Sequence, residues 1–405
     1  MPLLLMKTWN NTKQLSNHSR VLRYIFRNQP VSRSEIVEDL SLPRSLVTSI
    51  TASLISQGIV TELGKAEALE DGTLGRRRLL IGICPEARFS IGVEIGTRHF
   101  RFCITDLSGK VHCKLCYAPS QEQIHRVNQS IVSGVRQLLE ESGIQQDKVL
   151  GVGVALPGHL NQQSGHMVTH SSLWGAFNAH LLEDELGLPV TAENNVRAMA
   201  YEKYLFDIQS CPEDFALLHV GAGIFCADFR GGVLTEGSYI SGEIGHTISN
   251  PDGQRCECGK TGCLQTYASE SWLIKKAQRI WQYDASSILR QIAQDPDQIS
   301  LETVMDAYRL GDPLITREIR EALRYLGIAA ANITIILGAK KLYLHSRMFQ
   351  EDMLRNDLQA LIEGQLSFVG TQDSEDVSVL NFDSWRAAVG ASALAIDRLF
   401  ISRSS

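Results

Sequence analysis

The densest chemistry in this 405-residue chain lies in the stretch 242–265, GEIGHTISNPDGQRCECGKTGCLQ. His246, Cys256, Cys258 and Cys263 put one imidazole and three thiols within eighteen residues. Pro251, Asp252, Gly253, Gly259 and Gly262 lie among them, and such turn formers let a short segment fold back and aim all four ligands at one point. A Cys3His set is a closed tetrahedral zinc site with no position left for water, so the expected metal is structural. It would fix the loop and, through His246, fix Glu243 one short turn away. The alternative is free thiols in a mobile loop, or a disulfide; spaced Cys/His clusters in a cytosolic chain favour metal.

GEIGH, CxCGxxGC and LQTYAS together resemble the zinc-and-sugar signature of the ROK family, which contains bacterial sugar kinases and sugar-responsive repressors of the NagC, Mlc and XylR type. The resemblance implies that Asn194, Asn195, Glu243 and His246 line a hexose pocket, with Gln265 where the family usually has a second glutamate. Amides and a carboxylate suit hydroxyl pairs because each makes two or more hydrogen bonds. Trp174 would cover a sugar face or else pack in the core. Ser171 or Ser172 stands at the usual asparagine. For Asn194 and Asn195 the competing role is helix capping, and for Glu243 a loop-stabilising hydrogen bond.

A ROK kinase would need three further things, and each is altered. The phosphate turn, usually Asp-x-Gly-Gly-Thr, reads Glu94-Ile-Gly-Thr-Arg98, with a bulky cation at the threonine position. The base, usually in Glu-Asn-Asp, is replaced in Glu193-Asn194-Asn195. Asn195 accepts no proton at neutral pH, which removes a general-base contribution of roughly 10²–10⁴-fold. Phe225, Cys226 and Ala227 follow Gly221-Ala-Gly223-Ile224 where kinases keep glycines, and side chains there obstruct a backbone cradle for phosphate. Three losses in one site predict a protein that is not an enzyme.

These residues need a scaffold. Val21, Leu22, Ile25 and Phe26 recur at helical spacing within 19–27. Ser32 with Glu35 predicts a capping box for a second helix. After Ser41-Leu42-Pro43 a third helix buries Val47, Ile50 and Leu54 and ends at Gly58. Strands over 59–63 and 78–83, joined by the segment 64–77, complete a winged helix-turn-helix pattern. Arg44, Ser45, Thr48 and Ser49 lie opposite the apolar face of the third helix, able to reach base edges and phosphates. Arg76, Arg77 and Arg78, after Gly75, could place cations along the backbone or in a minor groove. The order of these features resembles the DNA-binding domain of ROK repressors. Charge agrees: residues 1–88 carry 12 basic and 8 acidic side chains, net +4, against 27 and 37, net −10, in the remainder.

From Arg88 the pattern becomes alternating α/β with glycine turns at strand ends. Strands are expected at 89–95, 101–106, 111–117, 149–156, 189–192, 215–220 and 341–345. Helices are expected at 121–143, 181–187, from 195, at 301–310, 312–331 and 384–400. This resembles the actin-like sugar-kinase fold, two α/β domains with a cleft between them. The expected division is 1–85 for the winged helix, 86–192 plus 383–405 for a small domain, and 193–382 for a large domain with the zinc loop. Hydrophobic content of 44% and charged content of 21% fit a soluble globular protein. No signal peptide or 18-residue apolar span is visible, and nine scattered cysteines suit a reducing cytoplasm. The expected function is a DNA-binding repressor of carbohydrate genes. Its expected partners are operator DNA, a sugar or sugar phosphate, and further copies of itself in a homodimer or tetramer. Cleft closure would move the last helix against the N-terminal one. The rivals are a ROK kinase with an attached DNA-binding domain, and a repressor released by a protein partner.

Overall fold

The computed structural model describes residues 16–65, 78–168, 172–207, 210–235, 237–367 and 377–402. Arg76, Arg77 and Ser171 lie outside them. The chain divides into two compact units, one of residues 1–209 with 385–405 and one of residues 210–384.

The first unit begins with three helices. Helix α1 (Asn17–Asn28) is capped by the Ser16 hydroxyl and buries Val21, Leu22, Ile25 and Phe26 on one stripe. Helix α2 (Arg33–Leu40) starts at the expected capping box: Ser32 accepts from the Glu35 amide, and the Glu35 carboxylate accepts from the Ser32 amide. It ends at Ser41, whose φ of +52° makes the sharp turn. Helix α3 (Arg44–Ser56) buries Val47, Ile50, Thr51 and Leu54. Strand β1 (Val31–Ser32), β2 (Val60–Lys65) and β3 (Leu79–Ile83) form an antiparallel sheet in the order β1-β3-β2.

The rest of this unit is built on a five-stranded sheet. Strands β4 (Phe89–Ile95), β5 (Phe100–Asp106) and β6 (Val111–Tyr117) are an antiparallel meander. Helices α4 (Gln121–His125) and α5 (Val127–Ser142) replace the single helix expected over 121–143. The break is at Arg126, with φ −107° and ψ 46°, and the Ser130 hydroxyl donates to the Gln123 carbonyl beside it. Strand β7 (Val149–Leu156), hairpin strands β8 (His159–Leu160) and β9 (Met167–Val168), helix α6 (Ala179–Leu186), β10 (Val190–Asn194) and α7 (Asn195–Phe206) follow. The order is β10-β7-β4-β5-β6, with β7 parallel to both β4 and β10.

The C-terminal helix (Arg386–Ile396) returns to this sheet, and every residue from Ala387 to Ile396 is buried. A Cβ on Gly92 would lie 1.9 Å from the Ala388 carbonyl, and one on Gly153 would lie 1.8 Å from that of Ala391. Helix backbone therefore rests directly on strand backbone. On the helix's other side Gly390 approaches Ala198 of α7 as closely, 2.1 Å for an added Cβ. This contact is why α7 belongs with the first unit, so the boundary expected at 192/193 falls at 209/210. The last turn also differs from the expected continuous helix: residues Asp397–Ile401 form a π-helical turn.

The second unit has its own five-stranded sheet. Its strands are β11 (Phe215–Val220), β12 (Ile224–Arg230), β13 (Val233–Leu234), β14 (Lys341–Ser346) and β15 (Val377–Val379), in the order β13-β12-β11-β14-β15. Helices α8 (Gln265–Ala268), α9 (Glu270–Tyr283), α10 (Leu289–Ile292), α11 (Leu301–Arg309), α12 (Pro313–Leu337) and α13 (Asp352–Leu366) surround a continuous apolar core. Helix α12 begins at the Asp312 cap with Pro313 in its first turn and stops at Gly338, where φ is +57°. It outruns the expected end at residue 331 because no glycine or proline intervenes before Gly338. Among the described residues no helix is long and apolar enough to cross a membrane.

Candidate functional site

The Cys/His stretch folds as its turn formers require. Gly262 adopts φ +77°, and a Cβ there would lie 1.6 Å from the Asn250 carbonyl, so only glycine lets the two arms of the loop pass. The ligand atoms of His246, Cys256, Cys258 and Cys263 all lie within 4.8 Å of one another. Cys258 Sγ and Cys263 Sγ are 3.6 Å apart, and Cys256 Sγ is 3.7 Å from His246 Nδ1. A disulfide would bring two sulfurs to about 2.05 Å. Ligand atoms at about 2.0–2.3 Å from one tetrahedral centre are themselves about 3.5–3.8 Å apart. The donors are thus set for a four-coordinate metal.

Electrostatics points the same way. Burial, then the neighbouring Cys258 and Cys256 thiols, pushes the Cys263 thiol up to about 12. Burial also resists ionisation of Cys258, but the Lys260 amide and the adjacent thiols hold it below the ordinary thiol value. Crowded sulfurs resist carrying several negative charges together, and a divalent cation removes that penalty.

Around the ligands is a shell that sequence reasoning missed. Glu257, between two of the cysteines, accepts from Lys275, from Gln265 Nε2 at 3.2 Å and from Trp272 Nε1 at 3.3 Å. The Lys275 ammonium, foremost, holds its carboxyl below the usual range. These bonds tie the loop to α8 and α9. Gln265 Nε2 also donates to Cys256 Sγ at 3.3 Å. Its amide hydrogens therefore serve the metal loop, while its Oε1 takes no part in these bonds. The only sequence clue was an acidic residue enclosed by two cysteines.

Glu243 and His246 flank a single 3₁₀ turn, Ile244–His246. Glu243 precedes the turn and His246 closes it, and both are half-buried. With Nδ1 facing Cys256, the Nε2 edge of His246 is directed away from the sulfurs.

In the first unit, Asn194 is buried, and its Oδ1 accepts from the Val196 amide at 2.9 Å and the Arg197 amide at 3.3 Å. It is the cap of α7, while its Nδ2 donates to the Gly158 carbonyl at 3.4 Å. Asn195 is half-buried, and its Oδ1 also accepts from the Val196 amide. The capping role therefore holds for Asn194. Glu193, one residue earlier, is buried in an ion-pair cluster: Oε1 lies 3.2 Å from Arg197 Nε and Oε2 lies 2.6 Å from Arg398 Nη2. Burial alone would raise its carboxyl, but Arg398 and Arg197 outweigh it and hold it below the usual range. Trp174 packs in the core with Phe100 and Phe177 nearby, so core packing is its role.

At the kinase-like positions, Glu94 is buried and paired with Arg101 at 2.9 Å, while Thr97 and Arg98 are exposed in the following turn. The Gly221 amide donates to the Gly223 carbonyl, and the Gly221 and Ala222 carbonyls accept from the Glu270 amide and the Ser271 hydroxyl. Phe225, Cys226 and Ala227 are buried in β12.

On α3, Arg44, Ser45, Thr48 and Ser49 are all exposed, opposite buried Val47, Ile50 and Leu54. The Thr48 hydroxyl donates to the Arg44 carbonyl at 2.8 Å. Arg78 is exposed and stands 3.6 Å from Glu35, so it is shared with a carboxylate.

The DNA-binding transcriptional dual regulator NagC of Escherichia coli is 28% identical over 353 residues, covering 84% of this chain and 82% of NagC. The xylose repressor of Bacillus subtilis is 22% identical over 388 residues, covering 94% and 95%. Among solved structures, a ROK family transcriptional regulator homologous to the E. coli Mlc protein superposes with a TM-score of 0.77 at 23% identity, covering 95% of this chain and 96% of that one. A ROK family glucokinase from Streptomyces griseus, in complex with glucose and AMPPNP, gives 0.63 at 22%, covering 76% and 98%. The ROK family pattern itself matches residues 90–398, and the chain belongs to the ROK family.

Proposed function

We propose that this protein is a sugar-responsive transcriptional repressor whose kinase-like body binds its ligand without phosphorylating it. The observation that carries the proposal is the exposed polar face of α3. Arg44, Ser45, Thr48 and Ser49 stand out on a helix whose other side is closed by a complete apolar core. Helices α1 to α3 with strands β1 to β3 are the proposed winged helix-turn-helix, in which α3 reads base edges in the major groove. Two copies presented by a homodimer match a pseudo-palindromic operator. The repressor relatives, NagC and the xylose repressor, support the sugar response.

By the family resemblance Asn194 and Asn195 of the first unit, and Glu243, His246 and Gln265 of the second, are each proposed as hydroxyl contacts for the sugar. Zinc is the metal that best matches three thiolates and one imidazole in closed tetrahedral order. It supplies a fixed loop rather than a reactive water. The missing carboxylate at Asn195 supports the assignment as a non-enzyme.

The test has two arms. A duplex is selected from a random pool by the purified chain, and its affinity is measured against salt, with and without glucose, N-acetylglucosamine, their 6-phosphates and xylose. At least one sugar is expected to change operator affinity, and by linkage the operator changes that sugar's affinity by the same factor. Coupled ADP release over the same panel is expected at background. Turnover at ordinary enzymic speed, on the order of 1 s⁻¹ or more, or indifference to duplex DNA at low salt, refutes the proposal.

A further inference from the structure

Consecutive residues of the π-helical turn, Asp397 and Arg398, reach two different parts of the first unit. Asp397 Oδ1 lies 2.8 Å from Arg23 Nη2 on α1, and the same guanidinium donates to Ser402 Oγ at 2.7 Å. Both partners are largely buried, with side chains 15% and 8% exposed. One turn along α1, Arg27 Nη1 donates to the Tyr204 carbonyl at 2.6 Å, its guanidinium stacked 4.2 Å over the Tyr204 ring. Helix α1 is therefore held against α7 and the last turn by two arginines on one face.

Arg398 points the other way. It pairs with Glu193 at 2.6 Å and lies over the Tyr201 ring. Glu193 in turn accepts from the Asn194 amide at 3.0 Å and faces Arg197 on the first turn of α7. The turn itself is wedged in place: a Cβ on Gly151 of β7 would meet Leu399 at 2.5 Å, and the Ser402 amide closes the π ring on the Asp397 carbonyl at 2.7 Å. A π turn costs energy relative to an α turn and persists where surroundings hold it. Here it is held at both ends by buried charge.

We infer that Glu193, Arg398, Asp397 and Arg23 are positioning residues that couple the Asn194-Asn195 pair to the seating of α1. Glu193 is fixed to the asparagine that caps α7, so a ligand that shifts Asn195 loads the Glu193–Arg398 pair. The π turn passes that load to Asp397, and Asp397 sets where Arg23 holds the first reader helix. Buried pairs of this kind are discrete, made or broken, which is what a two-state coupling element requires. The inference rests on the repressor assignment for its meaning, but its test does not use sugar or DNA.

Amide hydrogen exchange on the full chain provides that test. In Glu193→Gln, exchange across Asn17–Asn28 is expected to rise at least about fivefold, although the Glu193 carboxylate bonds Asn194, Arg197 and Arg398, none of them on α1. In Arg23→Lys, exchange across 190–206 is expected to rise by a similar factor, the reciprocal effect. Arg398→Lys keeps the charge and gives a second route should Glu193→Gln unfold. Increases confined to 190–206 and 386–402, with α1 unchanged in both Glu193→Gln and Arg398→Lys, overturn the inference. A wild-type chain that ignores every sugar or all DNA sinks the repressor proposal and leaves this exchange result standing.

Discussion

Replacing Cys263 by serine tests the metal loop directly. Cys263 is fully buried, 3.6 Å from the Cys258 sulfur, and it closes a loop of eighteen residues back to His246. Closing a loop of that length stabilises the folded segment by about 3 kcal/mol on the chain-entropy account. A hydroxyl in place of the buried sulfur, with few oxygen or nitrogen partners, adds a cost of about 1–3 kcal/mol. The sum, about 4–6 kcal/mol, corresponds to a rise of roughly 10³–10⁴-fold in local opening of 246–263. Elemental analysis of the wild type should find about one zinc per chain. Cys263→Ser should lose the zinc and exchange its loop amides rapidly, while Cys116→Ser, an exposed thiol on β6, should keep it. Chelation should abolish the sugar response before it weakens operator binding, because helices α1 to α3, the proposed DNA readers, belong to the other unit. Wild-type protein that folds with well under half an equivalent of metal, or a Cys263→Ser chain with full zinc and unchanged loop exchange, would refute the reasoning.

Arg44→Ala should weaken operator binding and lower the salt slope by about one if Arg44 contacts phosphate; an unchanged slope and affinity would remove α3 from the interface. Asn195→Asp restores the missing carboxylate, yet ADP release should stay at background because Arg98 and the β12 side chains also obstruct phosphate. A gain of 10²-fold or more would mean the base alone was missing. Asp312 is buried, caps α12 and accepts from Ser287, Ile288, Leu314 and Ile315. Asp312→Ala should cost about 2–4 kcal/mol, read as a lowered unfolding midpoint of the second unit. Burial opposes ionisation of Asp312, but the hydrogen bonds prevail and its carboxyl is held below the ordinary 3.8. A depressed carboxyl contributes fully above that value and loses its contribution as pH falls through the lower folded value. Wild type should therefore weaken on acidification below about pH 4, and Asp312→Asn should flatten that limb; parallel acid profiles would contradict the assignment.

What was legible in the sequence was whatever short-range spacing encodes. The three N-terminal helices, each taken by itself, the Ser32–Glu35 capping box, the strand at 149–156 and the Cys/His loop all depend on residues fewer than twenty positions apart, and side-chain period or ligand spacing carries them. The functional side chains were harder, because a residue type states what it can bond and not what it does bond. Asn194 can cap a helix or hold a hydroxyl with the same atoms, and only the position of the Val196 and Arg197 amides decides. Gln265 is directed to Cys256 and Glu257 by a loop that closes in three dimensions.

The longest-range features left no local mark at all. Glu193 and Arg398 are 205 residues apart, and Arg23 and Asp397 are 374 apart. No periodicity connects them; the sheet does, by seating the all-buried C-terminal helix on Gly92 and Gly153. That seating pairs Asp397 with Arg23 of helix α1 and Arg398 with Glu193 of strand β10, which ends at Asn194. Asp397 and Arg398, which no local pattern places, become buried partners once the helix is seated. Buried charge with one partner removed costs several kcal/mol, so these positions tolerate little change, although of the four only Glu193 lies within a motif read from the sequence. The coupling inferred for this ROK body thus rests on pairings that topology creates, while the ligand and DNA chemistry proposed for it rests on motifs that spacing reveals.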